Sequence, residues 1–396
     1  WAYSLFFWQL IKGLTHKIMN FKTKKMIDTV ILSIPRANYK VFRTEMFQPN
    51  VKVLNERGFF LVKCINNPTA KDKELGIYKP KLTIVKRMTK NGIEIPLKIE
   101  FSAPKILYGN NLDETEEKDF NDVAKALSEK LYEMGVIVNV EAIKNADVSK
   151  FHPSKNILLK EYTAGFVIKE LTKINLSKKL DLDEAHFRNT GESVQYYTNS
   201  YALTFYDKIK DLKKQTKRAI DKDQNFLQTS LFESLDKNNK EIIRMEARLT
   251  KKIKMNAVLV SLNYPKNPKF KDVFNKELCQ KILIKCWRDF VADQNLFLFN
   301  LDNGPKSILI AILSSDKTIK GMKAVELVGL NLLCKDAGIR ELRRILEDRI
   351  NKRSWYRISD NIKKINKANT QQPCHSWVRQ ISTALEEFKP YKINAP

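Results

Sequence analysis

Between residues 243 and 249 apolar and charged residues alternate strictly, and no other stretch constrains the fold as strongly. The charged positions are Arg244, Glu246 and Arg248, and isoleucine, methionine, alanine and leucine occupy the others. Because successive side chains of a strand point to opposite faces, this segment predicts a β-strand with one apolar and one charged face. The charged face is either a solvated ladder of ion pairs or part of a site. In a site, Glu246 would bind a hard cation and the arginines would bind phosphate oxygens.

A predicted β-hairpin precedes this strand and carries a candidate nucleophile. Two runs rich in aromatic and β-branched residues, 191–197 and 201–208, are separated by the polar residues 198–200. The second run ends on Tyr206-Asp207-Lys208. A tyrosine placed beside a carboxylate and an ammonium group can attack a phosphate. The alternative is an ordinary aromatic strand with a solvated, charged end.

Strand parity distinguishes Tyr206 from the other tyrosines of the hairpin. Alternation places Tyr206 on the same face as Thr204. Tyr201 falls on the opposite face, which also carries leucine and phenylalanine and is predicted to pack in the core. We interpret Tyr196 and Tyr197 of the first run as packing or base-stacking residues. Tyr206 is therefore the candidate nucleophile.

Strand-like and helical segments are mixed up to residue 250, which predicts an α+β fold. Short apolar runs predict strands at residues 26–35, 59–63, 82–85, 96–101, 136–140, 148–151 and 242–249. Apolar residues at three- and four-residue spacing predict a helix at residues 118–134. Because strands are joined by hairpins as well as by helices, the sheet is predicted to be mostly antiparallel.

The pattern changes to helix after residue 250. Apolar residues at helical spacing predict helices at residues 276–290, 322–334, 338–349 and 358–367. We therefore expect one domain at residues 26–250 and a helical, basic domain at residues 251–396. Residues 1–25 are interpreted as an upstream extension outside the fold. Their apolar run is too short to span a membrane, and it has neither the basic leader nor the cleavage site of a signal peptide.

The charge balance predicts the class of partner. Lys and Arg outnumber Asp and Glu by 71 to 45, which gives a net charge of +26. A surplus of this size on a globular chain favours a polyanionic partner, because each neutralised phosphate releases a counterion. The five cysteines are scattered and form no CxxC pair. This spacing argues against a structural zinc site or a disulfide framework, and a reducing cytoplasm is the simplest compartment.

A basic aromatic segment lies between two of the predicted C-terminal helices. It reads Lys352-Arg353-Ser354-Trp355-Tyr356-Arg357. Such a segment is typical of a nucleic-acid contact, and a helix-turn-helix over residues 338–367 would also fit. A helical domain with a solvated basic face is the alternative.

Four segments of the chain carry a family resemblance. They are Met26-Ile27-Asp28 before an apolar strand, Glu100 followed by Pro104-Lys105-Ile106-Leu107 and Gly109-Asn110-Asn111, Tyr206 in a Leu-x-x-Tyr-x-Lys context, and Arg244-x-Glu246-x-Arg248. In these residues the chain resembles the gene II type replication initiators of filamentous phages. It resembles the initiators of small rolling-circle plasmids more distantly, with Gly191-Glu192 as a further match. The resemblance extends over about residues 26–250, and more weakly to the basic aromatic segment at Arg353.

The resemblance implies an enzyme that starts rolling-circle replication by nicking one strand of a phage or plasmid origin and later rejoining it. Tyr206 would form a 5′-phosphotyrosine link and leave a 3′-hydroxyl primer for a host DNA polymerase, with a host helicase as a further partner. The expected fold is an RRM-like nuclease domain with a five-stranded, mostly antiparallel sheet. The expected substrate is double- and single-stranded origin DNA in the cytoplasm of a bacterial host, without a membrane.

The resemblance also implies roles for individual residues. Tyr206 and Lys208 would be catalytic, with Lys208 stabilising transition-state charge. An Mg²⁺ or Mn²⁺ ion would polarise the scissile phosphate, with Glu100, His152 and Glu246 as its candidate ligands. The candidate DNA-binding residues are Arg244, Arg248, Lys105, Arg353 and Trp355.

His152 is the position at which the sequence departs from the family pattern. Relatives usually have an aspartate after an Arg-Ile pair, whereas this chain has Lys150-Phe151-His152. A histidine can bind Mn²⁺, but a lone histidine at a strand end is also a common structural or exposed residue. This departure supports an alternative function, a non-catalytic nucleic-acid-binding protein that retains the initiator fold.

Overall fold

The alternating segment around Glu246 forms a strand of a large antiparallel sheet, as predicted. The computed structural model describes residues 27–54, 60–89, 92–174, 185–188, 192–198, 200–213, 240–292, 295–301, 304–369 and 372–392. The predicted extension at residues 1–25, Met26 and Gly191 lie outside these ranges. Within them the protein is α+β.

Thirteen strands occur among the described residues. They are β1 (Ile27–Ile34), β2 (Tyr39–Val41), β3 (Gln48–Leu54), β4 (Phe60–Asn66), β5 (Lys81–Thr89), β6 (Gly92–Glu94), β7 (Leu97–Ser102), β8 (Val136–Val138), β9 (Asp147–Leu159), β10 (Ala185–Arg188), β11 (Ser193–Thr198), β12 (Tyr201–Asp207) and β13 (Glu241–Leu249).

The α-helices of the described residues lie mostly in the second half of the chain. They are α1 (Ala70–Glu74), α2 (Ala103–Tyr108), α3 (Phe120–Glu133), α4 (Val140–Lys144), α5 (Ala164–Leu171), α6 (Lys208–Lys213), α7 (Lys252–Ser261), α8 (Phe270–Val273), α9 (Lys276–Trp287), α10 (Pro305–Ser315), α11 (Gly321–Ala337), α12 (Ile339–Leu346), α13 (Lys352–Ala368) and α14 (Ser376–Glu387). None of them is both long enough and apolar enough to cross a bilayer.

The main sheet is larger than the five strands that the resemblance implies. In the described part of the chain it has eleven, in the order β10-β11-β12-β13-β9-β1-β7-β5-β4-β3, with β6 paired to β5. All of its pairs are antiparallel. The expected number is therefore corrected. Residues 48–94 supply four of the six additional strands, and one of them, β5, pairs with β7 and closes what would otherwise be an open edge.

One apolar core lies against a single face of this sheet. Ile243, Met245 and Ala247 of β13 are fully buried in it, as their alternation predicts. The helices before residue 250 and those after it contribute to the same core. Phe101 packs edge-on against Phe270, with ring centroids 5.7 Å apart. The last strand ends at the predicted domain boundary, but the two predicted domains share this core.

A buried carboxylate connects β9 to the segment that precedes α3 and to the C-terminal segment. The carboxylate of Glu114 accepts hydrogen bonds from the backbone N–H of Asn156 at 2.6 Å, from Lys155 Nζ at 3.0 Å and from the backbone N–H of Tyr391 at 2.6 Å. The backbone N–H of Glu114 donates to the carbonyl of Tyr391 at 3.1 Å. Glu114 therefore joins three segments that are distant in sequence.

Replacement of Glu114 by alanine is expected to lower the free energy of unfolding by about 3 kcal/mol. The change leaves two buried N–H groups unsatisfied and the Lys155 ammonium buried without its carboxylate. Urea unfolding at neutral pH measures the loss. The control is Glu129→Ala, at an exposed position of α3, with an expected change below about 0.5 kcal/mol. Equal losses in both variants would contradict the structural role of Glu114.

Candidate functional site

Cross-strand pairing brings the predicted site residues together on the face of the sheet opposite the core. Tyr206 of β12 pairs with Arg244 of β13, and Arg244 pairs with Asn156 of β9. Two residues along β13, Glu246 pairs with Thr204 of β12. Since paired residues of neighbouring strands point to the same side, these side chains form a continuous polar surface.

The parity prediction for the tyrosines is confirmed. Tyr201 is buried in the core, and its hydroxyl lies 2.7 Å from Cys286 Sγ. Tyr196 is also buried, and its hydroxyl donates to the carbonyl of Leu171. Tyr206 is partly exposed on the polar face. Of the two tyrosines of β12, it is therefore the one that lies outside the apolar core.

Arg244 is a buried cation rather than a member of a solvated ladder. It is 1% exposed. Its Nη2 forms an ion pair with Asp28 Oδ1 at 3.2 Å and donates to Ser154 Oγ at 2.8 Å. Its Nη1 donates to the carbonyl of Asn111 at 2.9 Å. Burial alone would lower the pKa of Arg244. The neighbouring carboxylates, above all that of Asp28, raise this pKa by more than burial lowers it, so the guanidinium stays charged.

Glu246 is a buried carboxylate enclosed by two basic side chains. Its Oε1 lies 3.1 Å from Arg248 Nε and 3.3 Å from His152 Nδ1, and Arg248 Nη2 lies 3.3 Å from Oε2. Burial raises the pKa of Glu246, but Arg248 and His152 lower it more, and the net pKa is well below the usual range. Glu246 is therefore ionised and already paired.

His152 faces Glu246 with one nitrogen and leaves the other without a partner. Its Nδ1 contacts the carboxylate, whereas Nε2 is buried and has no hydrogen-bond partner among the described residues. The two nitrogens of an imidazole point to opposite sides of the ring. One metal ion therefore cannot bind both His152 Nε2 and the Glu246 oxygen at Nδ1. Glu246 is placed to orient His152, as carboxylates do for ligating histidines.

The third predicted ligand, Glu100, lies apart from this pair. Glu100 is on β7, and its backbone partner is Ile31 of β1. Since β1 separates β7 from β9, Glu100 is about 10 Å from the His152 strand. Its carboxylate lies 3.5 Å from Lys81 Nζ. The structure therefore brings His152 and Glu246 together but not Glu100.

The predicted ligand set does not fit a divalent cation. Over the described ranges, no group of three or more His, Cys, Asp or Glu residues could hold a metal ion. Arg248 and His152 already contact the carboxylate of Glu246. The guanidinium groups of Arg248 and Arg244 also bring two positive charges to this face of the sheet. Of the predicted set, only His152 Nε2 is an available donor.

Lys208 is fully buried at the start of α6, directly after the strand that carries Tyr206. Its Nζ lies 5.6 Å from the centre of the Tyr206 ring and has no hydrogen-bond partner among the described residues. The nearest carboxylate oxygen, Asp211 Oδ2, is 3.9 Å away. Burial and the charge of Arg244 lower the pKa of Lys208 to about 7.

The position of Lys208 is fixed by the residue before it. Asp207 Oδ1 accepts a hydrogen bond from the backbone N–H of Lys210 at 2.9 Å, which caps α6. Asp207 is itself buried. The strand therefore ends and the helix begins within the Tyr206-Asp207-Lys208 motif, and this change of direction places Lys208 beside the Tyr206 ring.

The Tyr206 hydroxyl keeps its proton in the free protein. Burial raises the pKa of Tyr206 well above the usual value, Arg244 lowers it, and the acidic groups Glu246 and Asp211 raise it. Any reaction of this oxygen as a nucleophile would therefore include the loss of that proton.

The predicted DNA-binding residues lie in two separate places. Arg248 is partly exposed beside Glu246. Lys105 of α2 lies 5.6 Å from the Tyr78 ring and is one of the charges that lower the pKa of Lys208. Both belong to the surroundings of Tyr206. Arg353 is exposed on α13, at a distance in sequence from this site.

The expectation that Trp355 contacts DNA is corrected by its burial. Trp355 is 8% exposed and packs in the core beneath the guanidinium of Arg343, 5.4 Å from the centre of its ring. The helical register of α13 turns Tyr356 outward instead, with 46% exposure. Trp355 is therefore a structural residue.

Several site residues have no role in the sequence-based interpretation. Asp28, Ser154 and Asn111 all bind Arg244. Asp28 and Asn111 lie in segments that carry the resemblance, but no role was assigned to them. Ser154 is recognisable only from the pairing of β9 with β13.

The replacement Lys208→Met is expected to raise the free energy of unfolding at about pH 7 by roughly 2–4 kcal/mol. The folded-state pKa of Lys208 lies below the ordinary value of 10.5, so unfolding takes up a proton. This destabilisation is complete below about pH 7 and disappears above about pH 10.5, where the amine is neutral in both states.

Urea unfolding of the variant and the parent at several pH values measures the difference. The gain in stability should shrink as the pH rises from neutral. The control is Lys210→Met, which changes an exposed lysine of the same helix and removes only a 3.9 Å ion pair with Asp207. Its difference should be small between neutral and alkaline pH, where Asp207 is ionised in both states. A gain of similar size at every pH would contradict a depressed pKa for Lys208.

Comparison with known proteins gives no relative of this chain. No protein-family profile, curated protein or solved structure matches it. The resemblance to replication initiators is therefore carried by the residues themselves, and the function is argued from the site.

Proposed function

We propose that the protein nicks and rejoins one strand of a phage or plasmid replication origin and so initiates rolling-circle replication, with Tyr206 as the nucleophile. The observation that carries the proposal is the position of Tyr206. Tyr206 is partly exposed on the polar face of the sheet, with the basic side chains of Lys208, Arg244 and Arg248 around it.

The charges around Tyr206 favour the binding of a phosphodiester. Arg244 and Arg248 remain charged, because nearby carboxylates raise their pKa values. Burial of these groups strengthens their interaction with charge that develops on a phosphate during attack. In the proposed reaction, Arg244 and Arg248 would stabilise this charge.

The proposed reaction is a transesterification. The Tyr206 oxygen forms a bond to phosphorus, and the bond from phosphorus to the 3′-oxygen of the preceding nucleotide breaks. The tyrosine hydroxyl loses its proton, and the departing 3′-oxygen gains one. The products are a 5′-phosphotyrosine link and a free 3′-hydroxyl that a polymerase can extend. Attack by a 3′-hydroxyl on the same phosphorus reverses the reaction and rejoins the strand.

The exposed face of α13 supports DNA as the partner. Its outward-facing residues are mainly basic, with one exposed tyrosine and one aspartate among them: Lys352, Arg353, Tyr356, Arg357, Asp360, Lys363, Lys364 and Lys367. A helical stripe of this composition can follow a phosphate backbone. We include origin DNA, a host polymerase and a host helicase as partners in this proposal, in the cytoplasm of a bacterial host.

Replacement of Tyr206 by phenylalanine is expected to abolish nicking, because it removes the attacking oxygen and keeps the ring. The measurement is conversion of supercoiled DNA of the replicon that encodes the chain to the open circular form. A covalent protein–DNA adduct that survives SDS should form with the parent and be absent from the variant.

The matched control is Tyr197→Phe, which removes a hydroxyl from the neighbouring strand β11 and should leave nicking unchanged. If both variants nick as the parent does, Tyr206 is not the nucleophile. If no protein nicks but all bind the DNA, the non-catalytic binding function is the better assignment.

The requirement for Mg²⁺ or Mn²⁺ stays a prediction from the resemblance. It implies that treatment with EDTA stops nicking and that either ion restores it. The same supercoiled-DNA assay measures the effect, with DNA binding as a control that chelation should not change. Full activity in EDTA would show that the cationic side chains suffice without an ion.

A further inference from the structure

Lys208 is a buried amine without a counterion at hydrogen-bonding distance. Its side chain is 0% exposed, and no described residue accepts a hydrogen bond from Nζ. An isolated ammonium group is costly to bury, and proteins reduce the cost by pairing the charge or by losing the proton. Among the described residues its one ion pair, with Asp211 Oδ2 at 3.9 Å, is too long for a hydrogen bond.

Five titratable side chains face Lys208, and the positive and negative charges among them are equal in number. They come from the strands packed against α6, from α6 itself and from two further elements: Tyr206 on β12, Arg244 on β13, Asp211 on α6, Asp28 on β1 and Lys105 on α2. Arg244 and Lys105 oppose a charge on Nζ, and Asp211 and Asp28 favour it. The Asp28 carboxylate is already engaged by Arg244 and Ser102. Burial therefore decides the balance, and it lowers the pKa of Lys208 to about 7.

A phosphate bound at Tyr206 would change this balance. It brings a negative charge and unpaired acceptor oxygens next to an amine that lacks both. An opposite charge within a few ångströms raises the pKa of an amine. The amine then binds a proton together with the phosphate, and the positive charge appears only in the complex.

We infer that Lys208 is uncharged in a large fraction of the free protein and takes up a proton when a DNA phosphate binds beside Tyr206. The inference rests on the proposed function in that it takes a DNA phosphate as the ligand. It adds that one cation of the site is created by the substrate. Arg244 and Arg248 carry permanent guanidinium charges in the free site, and the substrate complex gains the ammonium charge of Lys208.

The direction of the pH dependence follows from the two protonation states. Well below about pH 7, Lys208 is already charged and binding takes up no proton from this group. Above that pH and below the pKa in the complex, each binding event takes up one proton. Affinity then falls by up to about tenfold for each unit of pH.

Calorimetric titration of the Tyr206→Phe protein with a short single-stranded DNA oligonucleotide tests the inference without cleavage. Titrations in buffers of different ionisation enthalpy give the number of protons taken up. We expect uptake close to one proton at about pH 8 and much less at about pH 6. This comparison within one protein does not depend on a variant of Lys208.

Three variants in the same background assign the proton. Lys208→Met should abolish the difference in uptake between the two pH values. Lys208→Arg should also abolish it but retain affinity at about pH 8, because a guanidinium is charged at both values. Lys210→Met, two residues along the same helix and exposed, should behave as the parent does.

The outcomes separate this inference from the proposed function. If the oligonucleotide binds and proton uptake is the same at both pH values, or persists in the Lys208 variants, the inference is wrong. If uptake depends on Lys208 but the parent nicks no DNA, the proposed function fails and the inference holds. Failure to bind DNA under any condition would overturn both.

Discussion

The buried ion pair between Arg244 and Asp28 is the interaction on which the arrangement of the site depends. Arg244 also donates to Ser154 and to the carbonyl of Asn111. A guanidinium at this depth needs a counterion and hydrogen-bond acceptors, because an unpaired buried charge costs several kcal/mol. Nη1 and Nη2 have them, whereas Nε has no hydrogen-bond partner among the described residues. The pairing of β13 with β9 and of β9 with β1 brings these partners to Arg244. The same register places Tyr206 and Glu246 beside it.

The sequence was sufficient to predict which face of a strand each residue occupies. Parity is a local property, so alternation within β12 and β13 placed Tyr206, Arg244 and Glu246 on one face. Depth is not local. Arg244 is buried because segments far away in sequence cover it, and the alternating pattern is equally compatible with solvent. For the same reason, the burial of Lys208 beneath the hairpin has no signature in the sequence.

The metal-ligand hypothesis shows a second limit of the sequence. Glu100, His152 and Glu246 all point to the polar face, but the order of strands in the sheet decides which of them meet. With β1 between β7 and β9, Glu100 is left outside, while the adjacent β13 brings Glu246 onto His152. The sequence pattern does not predict α7, for a different reason. α7 exposes Ile253 and Val260, so its apolar residues do not follow a single stripe.

The contact between Glu114 and Tyr391 has a consequence for the order in which the protein is completed. Glu114 and its partners on β9 are synthesised early, whereas Tyr391 is among the last described residues. Both backbone groups of Tyr391 bond to Glu114. Until residue 391 has been translated and has left the ribosomal exit tunnel, this carboxylate therefore lacks one of its donors. The hydrogen bonds around Glu114 and Asn156 are completed only at that stage.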